Sequence, residues 1–152
     1  MIAEELLAVR VVTPEQLGKI QLRRDDIVRL ISGSAGQLAA VMRTNAPVYT
    51  GRPRADVVPG ALRRGIVPSP LAEKTASPYK VVYEVYWDER MNGTFVKLAR
   101  SGKRYYYPAS QEYGFRTRRG RVSGRFFMSN SLVAYVPVVD KQIEKLVEEA
   151  LR

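Results

Sequence analysis

In the stretch YKVVYEVYWDERMNGTFVKLAR, residues 79–100, the side chains Val81, Tyr83, Val85 and Trp87 fall at every second position. That alternation aims all four at one face of a strand, where a helix would scatter them around its circumference. Asn92-Gly93 favours a tight type I′ turn, so a return strand is expected over about 94–100. Ser101-Gly102 then turns the chain into KRYYYP, a third strand.

Helical spacing flanks this β region on both sides. TPEQ reads as a helix start, with Thr13 as cap, Pro14 in the first helical position and Gln16 completing a capping-box spacing. The helical region extends to about Thr44 and breaks near Arg24–Asp25, where Asp25 can cap a second helix. Ile27, Leu30, Ile31, Leu38, Val41 and Met42 form its buried stripe. Ser32, Gly36 and Ala40, four apart, are expected to admit a close neighbouring backbone. Asn45 and Pro47 end the helix.

From Phe126 onward the pattern is helical again. Val133, Val136, Val139, Ile143, Leu146, Val147 and Ala150 form its expected apolar face, and Pro137 is expected to kink or restart it. Residues 1–12 alternate as a strand would, yet equally suit a frayed helix. The expected organisation is one domain over residues 1–152, ordered helix, sheet, helix. Residues 51–78 and 115–125 are read as extended loops, the first with a short helical patch at GALRRGI.

The net charge of +10 favours long-range attraction to polyanions or acidic protein surfaces. Cysteine and histidine are both absent, which removes disulfides, thiolate metal sites and the commonest general base. No apolar run approaches the roughly 20 residues that span a bilayer, and the acidic start does not read as an export signal. The carboxylate pairs Asp25/Asp26, Asp88/Glu89 and Glu148/Glu149 are sequence neighbours that diverge in direction, so none forms a two-carboxylate site. GRVSG misses the nucleophile elbow, SGK lacks a phosphate loop's upstream glycine, and GSAG lacks the basic flanks of an RNA-binding G-x-x-G. Neither catalysis nor a cofactor is expected.

FRTRRGRVSGR, residues 115–125, holds five arginines and no carboxylate. Such an arm can neutralise phosphates, with Tyr105, Tyr106 and Tyr107 available to stack unpaired bases. It can also pair with carboxylates on another protein.

Four segments in order, APVYTG (46–51), LRRGI (62–66), YYYPASQEYGF (105–115) and RFFMSNSL (125–132), resemble the tail-completion, or head–tail joining, family of tailed phages and prophages. The likeness runs over roughly residues 15 to 150. Tyr49 stands where the family carries an acid, and RPRADVVPGA intervenes before Leu62. Gly65 replaces a serine, Phe115 a threonine, and Arg125 the proline before the aromatic pair.

The resemblance implies an α+β fold, with a long N-terminal helical region and a C-terminal helix packed on a small antiparallel β-sheet with long loops. It implies a non-enzymatic virion protein of the neck, assembled in the host cytoplasm. Copies of the chain would form a ring, six being the expected number, between portal and adaptor proteins on one side and the tail tube or tail terminator on the other. Transient contact with genomic DNA is compatible with that place, and no membrane is involved. Pro47, Thr50 and Gly51 would shape the turn after the first helix, Thr50 by bonding nearby backbone. Leu62, Ile66, Glu112, Tyr113 and Gly114 are further motif positions, and Phe126 and Phe127 would anchor the last helix in the core. Arg52, Arg54, Arg116, Arg118, Arg119 and Arg121 are the expected docking residues. Protein docking is favoured over DNA because a strongly cationic lumen would hold a genome that must slide. The alternative is a basic nucleic-acid-binding protein that uses the sheet tyrosines and the arginine arm.

Overall fold

A computed structural model describes residues 23–71 and 80–151. The expected start at Thr13, Pro14 and Gln16, and residues 1–12, lie outside them.

Helix α1 spans Arg24–Asn45 and starts behind an extended Arg23, at the place where a second helix was expected to begin. Asp25 does not cap it: Arg23 occupies the cap position with no side-chain bond, and Asp25 and Asp26 sit in the first turn, where they favour the helix dipole. Ile27, Ile31, Leu38 and Met42 are buried as their spacing requires. The Ser32–Gly36–Ala40 face is not a contact face. Nothing approaches within 4 Å of a Cβ built on Gly36, and Ala40 is exposed. The packed face carries Ser34, Ala35, Leu38 and Ala39 instead.

Beyond a proline-rich turn come α2, Ala61–Gly65, and β1, Ile66–Pro70. Strand β1 lies inside the proline-, glycine- and serine-rich stretch expected to be loop, and it carries Pro68 and Pro70. Leu71 donates its N–H to the Val82 carbonyl at 3.0 Å, so odd-numbered donors face the partner strand. The two prolines therefore turn their missing N–H outward, which an edge strand tolerates. The partner is β2, Tyr83–Trp87, antiparallel with Ile66 opposite Trp87 and Pro70 opposite Tyr83.

The hairpin expected at Asn92-Gly93 does not form. The Asp88 side chain accepts the Arg90 N–H and starts a 3-10 turn, Glu89–Met91, that runs into the short helix α3, Asn92–Phe95. Ser101-Gly102 does turn a hairpin, between β3 (Val96–Leu98) and β4 (Arg104–Tyr106). Tyr107 leaves the strand and opens α4, Tyr107–Tyr113. The 115–125 segment is no loop: β5, Gly114–Thr117, pairs with β6, Gly120–Ser123. Helix α5 then runs Phe127–Leu151, through Pro137 without restarting. Pro137 lies on the exposed side, so the carbonyl it leaves unbonded faces water.

The fold is thus α+β: two long helices packed together, with three separate two-stranded antiparallel sheets in place of one small sheet. α1 and α5 run antiparallel, joined by Ser34–Gln142 at 2.7 Å, by Tyr135–Gln37, and by Asn45–Ser131 at 2.9 Å. Leu38, Met42, Leu62, Ile66, Val85, Trp87, Phe95, Phe127, Leu132 and Val139 make one core among α1, α2, β1, β2, α3 and α5. The rings of Trp87 and Phe127 meet edge to face at 6.4 Å. Val133 and Val136, placed on the buried face by periodicity, are 66% and 47% exposed. The inward positions are Leu132, Tyr135 and Val139.

Candidate docking arm and adjoining cleft

The arm begins at a crossing of two glycines. Gly114 has φ +78°, and a Cβ there would lie 2.2 Å from the Val122 carbonyl oxygen. A Cβ on Gly124 would lie 2.1 Å from the Glu112 carbonyl oxygen. The strands leave and rejoin the body at a separation only glycine permits. Arg125 N–H then bonds the Gln111 carbonyl at 2.9 Å, and Phe126 N–H the Glu112 carbonyl at 3.0 Å.

The Glu112 side chain completes this joint. It is buried, and its carboxylate accepts Met128 N–H at 3.0 Å, Ser129 N–H at 2.9 Å and the Ser129 hydroxyl at 2.7 Å. Met128 and Ser129 are the second and third residues of α5, whose N–H groups a capping side chain normally serves. Phe126, in the cap position, has none to offer and is held at φ +50°. One carboxylate therefore fixes the end of α4, the root of the arm and the start of α5 together. The sequence gives Glu112 a motif position but no role, since nothing local marks a cap donated from fourteen residues before Phe126.

Every residue from Phe115 to Ser123 is exposed. Strand alternation gives the arm two unlike faces. Phe115 stands opposite Val122 on one, and Arg116 opposite Arg121 on the other. Arg118 and Arg119 occupy the tip, where the Thr117 hydroxyl accepts Arg119 N–H at 3.2 Å and donates to the Gly120 carbonyl at 3.0 Å. Among the described residues no ion pair involves any of these arginines. An isolated two-stranded ribbon with like charges opposed is marginal in water, so this one owes its order to its root.

A cleft of about 460 Å³ opens beside the root, lined by Pro47, Tyr49, Thr50, Gly51 and Arg54 together with Lys97, Tyr105, Tyr107, Gln111 and Arg125. Arg54 pairs with Asp56 at 3.2 Å, and Lys97 donates to the Asp56 carbonyl. Burial pushes the Tyr107 phenol up, against the opposing pull of the Arg125 guanidinium.

The structure thus brings Arg116, Arg118, Arg119 and Arg121 together on the arm and places Arg52 and Arg54 on a different segment. Thr50 makes no side-chain hydrogen bond among the described residues; the Tyr49 hydroxyl instead bonds the Arg52 carbonyl at 3.0 Å. A Cβ on Gly51 would lie 2.5 Å from the Tyr49 hydroxyl, so a larger residue there would push that side chain aside. Leu62, Ile66 and Phe127 are buried as expected. Phe126 is not a core anchor: it is 42% exposed, and its ring meets the exposed Tyr113 ring edge-on. Of the three sheet tyrosines, Tyr105 is exposed. Tyr106 packs against Phe95 and Trp87, and burial pushes its phenol up to about 12. No local sequence signal marks Lys97 and Arg125 as cleft residues, because they come from distant segments.

Comparison with family models, with curated proteins and with solved structures finds no match. Among the described residues no group of histidine, cysteine, aspartate or glutamate is placed to hold a metal, and no helix is long and apolar enough to cross a membrane.

Proposed function

We propose that this chain is a structural subunit of the head–tail connector of a tailed phage or related particle. It would form a ring with its own copies between the portal–adaptor assembly and the tail. The reading starts from the order of the four motif segments and gains support from what two of them build. Glu112, Gly114 and Phe127, all motif positions, form or adjoin the joint that holds an arginine arm clear of the body. A ribbon with both faces bare, yet rigidly rooted, suits contact with another protein. Changing Arg118 and Arg119 together to glutamate is expected to leave the thermal unfolding of the monomer unchanged and to remove the larger species from sedimentation velocity. Unaltered assembly by that variant refutes the reading.

The unpaired arm arginines also favour a second reading, binding to nucleic acid. Of Tyr105, Tyr106 and Tyr107 only Tyr105 is exposed for stacking, so the run supplies one platform rather than three. Four arm arginines on duplex DNA would give a salt slope of about −3.6 in log affinity against log salt. Binding that keeps such a slope and stays tight at physiological salt supports this reading; weak binding abolished by modest salt removes it.

A further inference from the structure

Helix α5 carries an outward stripe that nothing else among the described residues covers. Val133, Val136, Asp140, Glu144 and Glu148 recur at three- and four-residue spacing, and all are exposed. The stripe is apolar towards the start of the helix and acidic further on. Lys141 and Lys145 lie on the next flank, where Lys145 pairs with Glu149 at 3.9 Å. Among the described residues Asp140, Glu144 and Glu148 join no ion pair.

The arm is its complement. Its apolar face presents Phe115 and Val122, and its tip presents Arg118 and Arg119. The spacings agree. Along α5 the midpoint of Val133 and Val136 lies about 11 Å from that of Asp140 and Glu144, at about 1.5 Å per residue. Along the arm Phe115 lies about 10 Å from Arg118, at about 3.3 Å per residue. Apolar pair and charged pair can therefore meet their counterparts in one docking. The arm cannot satisfy its own helix in this way, since it is exposed along its whole length and tied down at the start of α5.

We infer that the arm of one copy lies along the Val133–Glu144 stripe of α5 on the next copy. Phe115 and Val122 sit on Val133 and Val136, and Arg118 and Arg119 reach Asp140 and Glu144. The two patches differ, so the contact is head to tail: each copy keeps a free arm and a free helix until a ring closes. Arg116 and Arg121 face away from this contact. The inference rests on the connector reading for its partner, a second copy, and adds where the copies touch.

The chain has no cysteine, so single thiols can be placed cleanly. Val122→Cys protein and Val136→Cys protein are mixed at low ionic strength and mildly oxidised. The expected product is a mixed disulfide in several-fold excess over either homodimer. Adding Arg118→Glu and Arg119→Glu to the first partner should abolish it, and Asp140→Lys with Glu144→Lys in the second should restore it. Arg116→Ala with Arg121→Ala should leave it unchanged. A mixed disulfide no more abundant than the homodimers, or one the charge swap does not restore, overturns the inference. The mass of the unmodified protein separates the two ideas. A closed oligomer without the mixed cross-link removes this interface and leaves the connector; the cross-link without a closed oligomer keeps the interface and removes the ring.

Discussion

Glu112→Ala should cost far more than the loss of one hydrogen bond. The carboxylate serves two backbone N–H groups and one hydroxyl at the start of a 25-residue helix, in a buried position. Removing a helix cap costs about 0.5–2 kcal/mol in exposed settings. Each buried donor left without a partner adds about 1–3 kcal/mol. Allowing for relaxation, the total is about 3–5 kcal/mol, a large share of the roughly 5–15 kcal/mol that stabilises a domain. For a chain of this size, a loss of that order lowers Tm by about 6–20 °C. Glu112→Gln separates acceptor geometry from size. Its one oxygen can still serve Ser129, but its amide turns donors towards Met128 N–H, so a loss near half that of the alanine variant is expected. Trp87 is the sole tryptophan and touches Phe127 at the start of α5, so urea unfolding followed by its emission reads this joint. A Glu112→Ala protein melting within about 2 °C of the parent would refute the reasoning.

Phe127→Ala should lose about 3–5 kcal/mol as a buried aromatic, whereas Phe126→Gly should stay within about 1 kcal/mol because relief of its left-handed backbone offsets the half-exposed ring; equal losses by denaturant titration would contradict the burial difference. Gly124→Ala drives a methyl group into the Glu112 carbonyl and should cost about 1–3 kcal/mol or more, read as lost amide-exchange protection at the arm's root. Gly65→Ser should destabilise too, since a Cβ there would lie 2.4 Å from the Phe95 ring; a parent-like Tm would refute it. Tyr106 ionises near 10 when unfolded and near 12 when folded, so its contribution is complete below pH 10 and is lost as pH rises towards 12. Tyr106→Phe should flatten that alkaline loss in urea titrations, and an unchanged pH dependence would count against its burial.

The two long helices were legible because Ile27, Ile31, Leu38 and Met42, and later Val139 and Ile143, repeat at a period only a helix satisfies. The Ser101-Gly102 turn was legible for a local reason, a glycine held at φ +78°. What failed depended on distant partners. Asn92-Gly93 favours a hairpin, but β2 had already paired with β1 and Asp88 had started a helical turn. Strand β1 was hidden by prolines that are harmless only on an outer edge. Ribbon alternation in the arm was masked by arginines, which resemble loop or tail composition. Periodicity places Val133 and Val136 on the apolar side but does not say which part of that side meets α1. Glu112 was named by resemblance, yet its cap becomes visible only when α4 and α5 come together.

The joint at residues 111–128 has a geometric consequence for any assembly in which arm meets helix. The direction of the arm and the direction of α5 are locked to each other within one chain, through paired glycines and a shared carboxylate. The turn from one copy to the next is then the angle of that elbow, repeated. Copy number becomes a property of the single subunit's backbone. Loosening the elbow would blur the number of copies without touching either docking face.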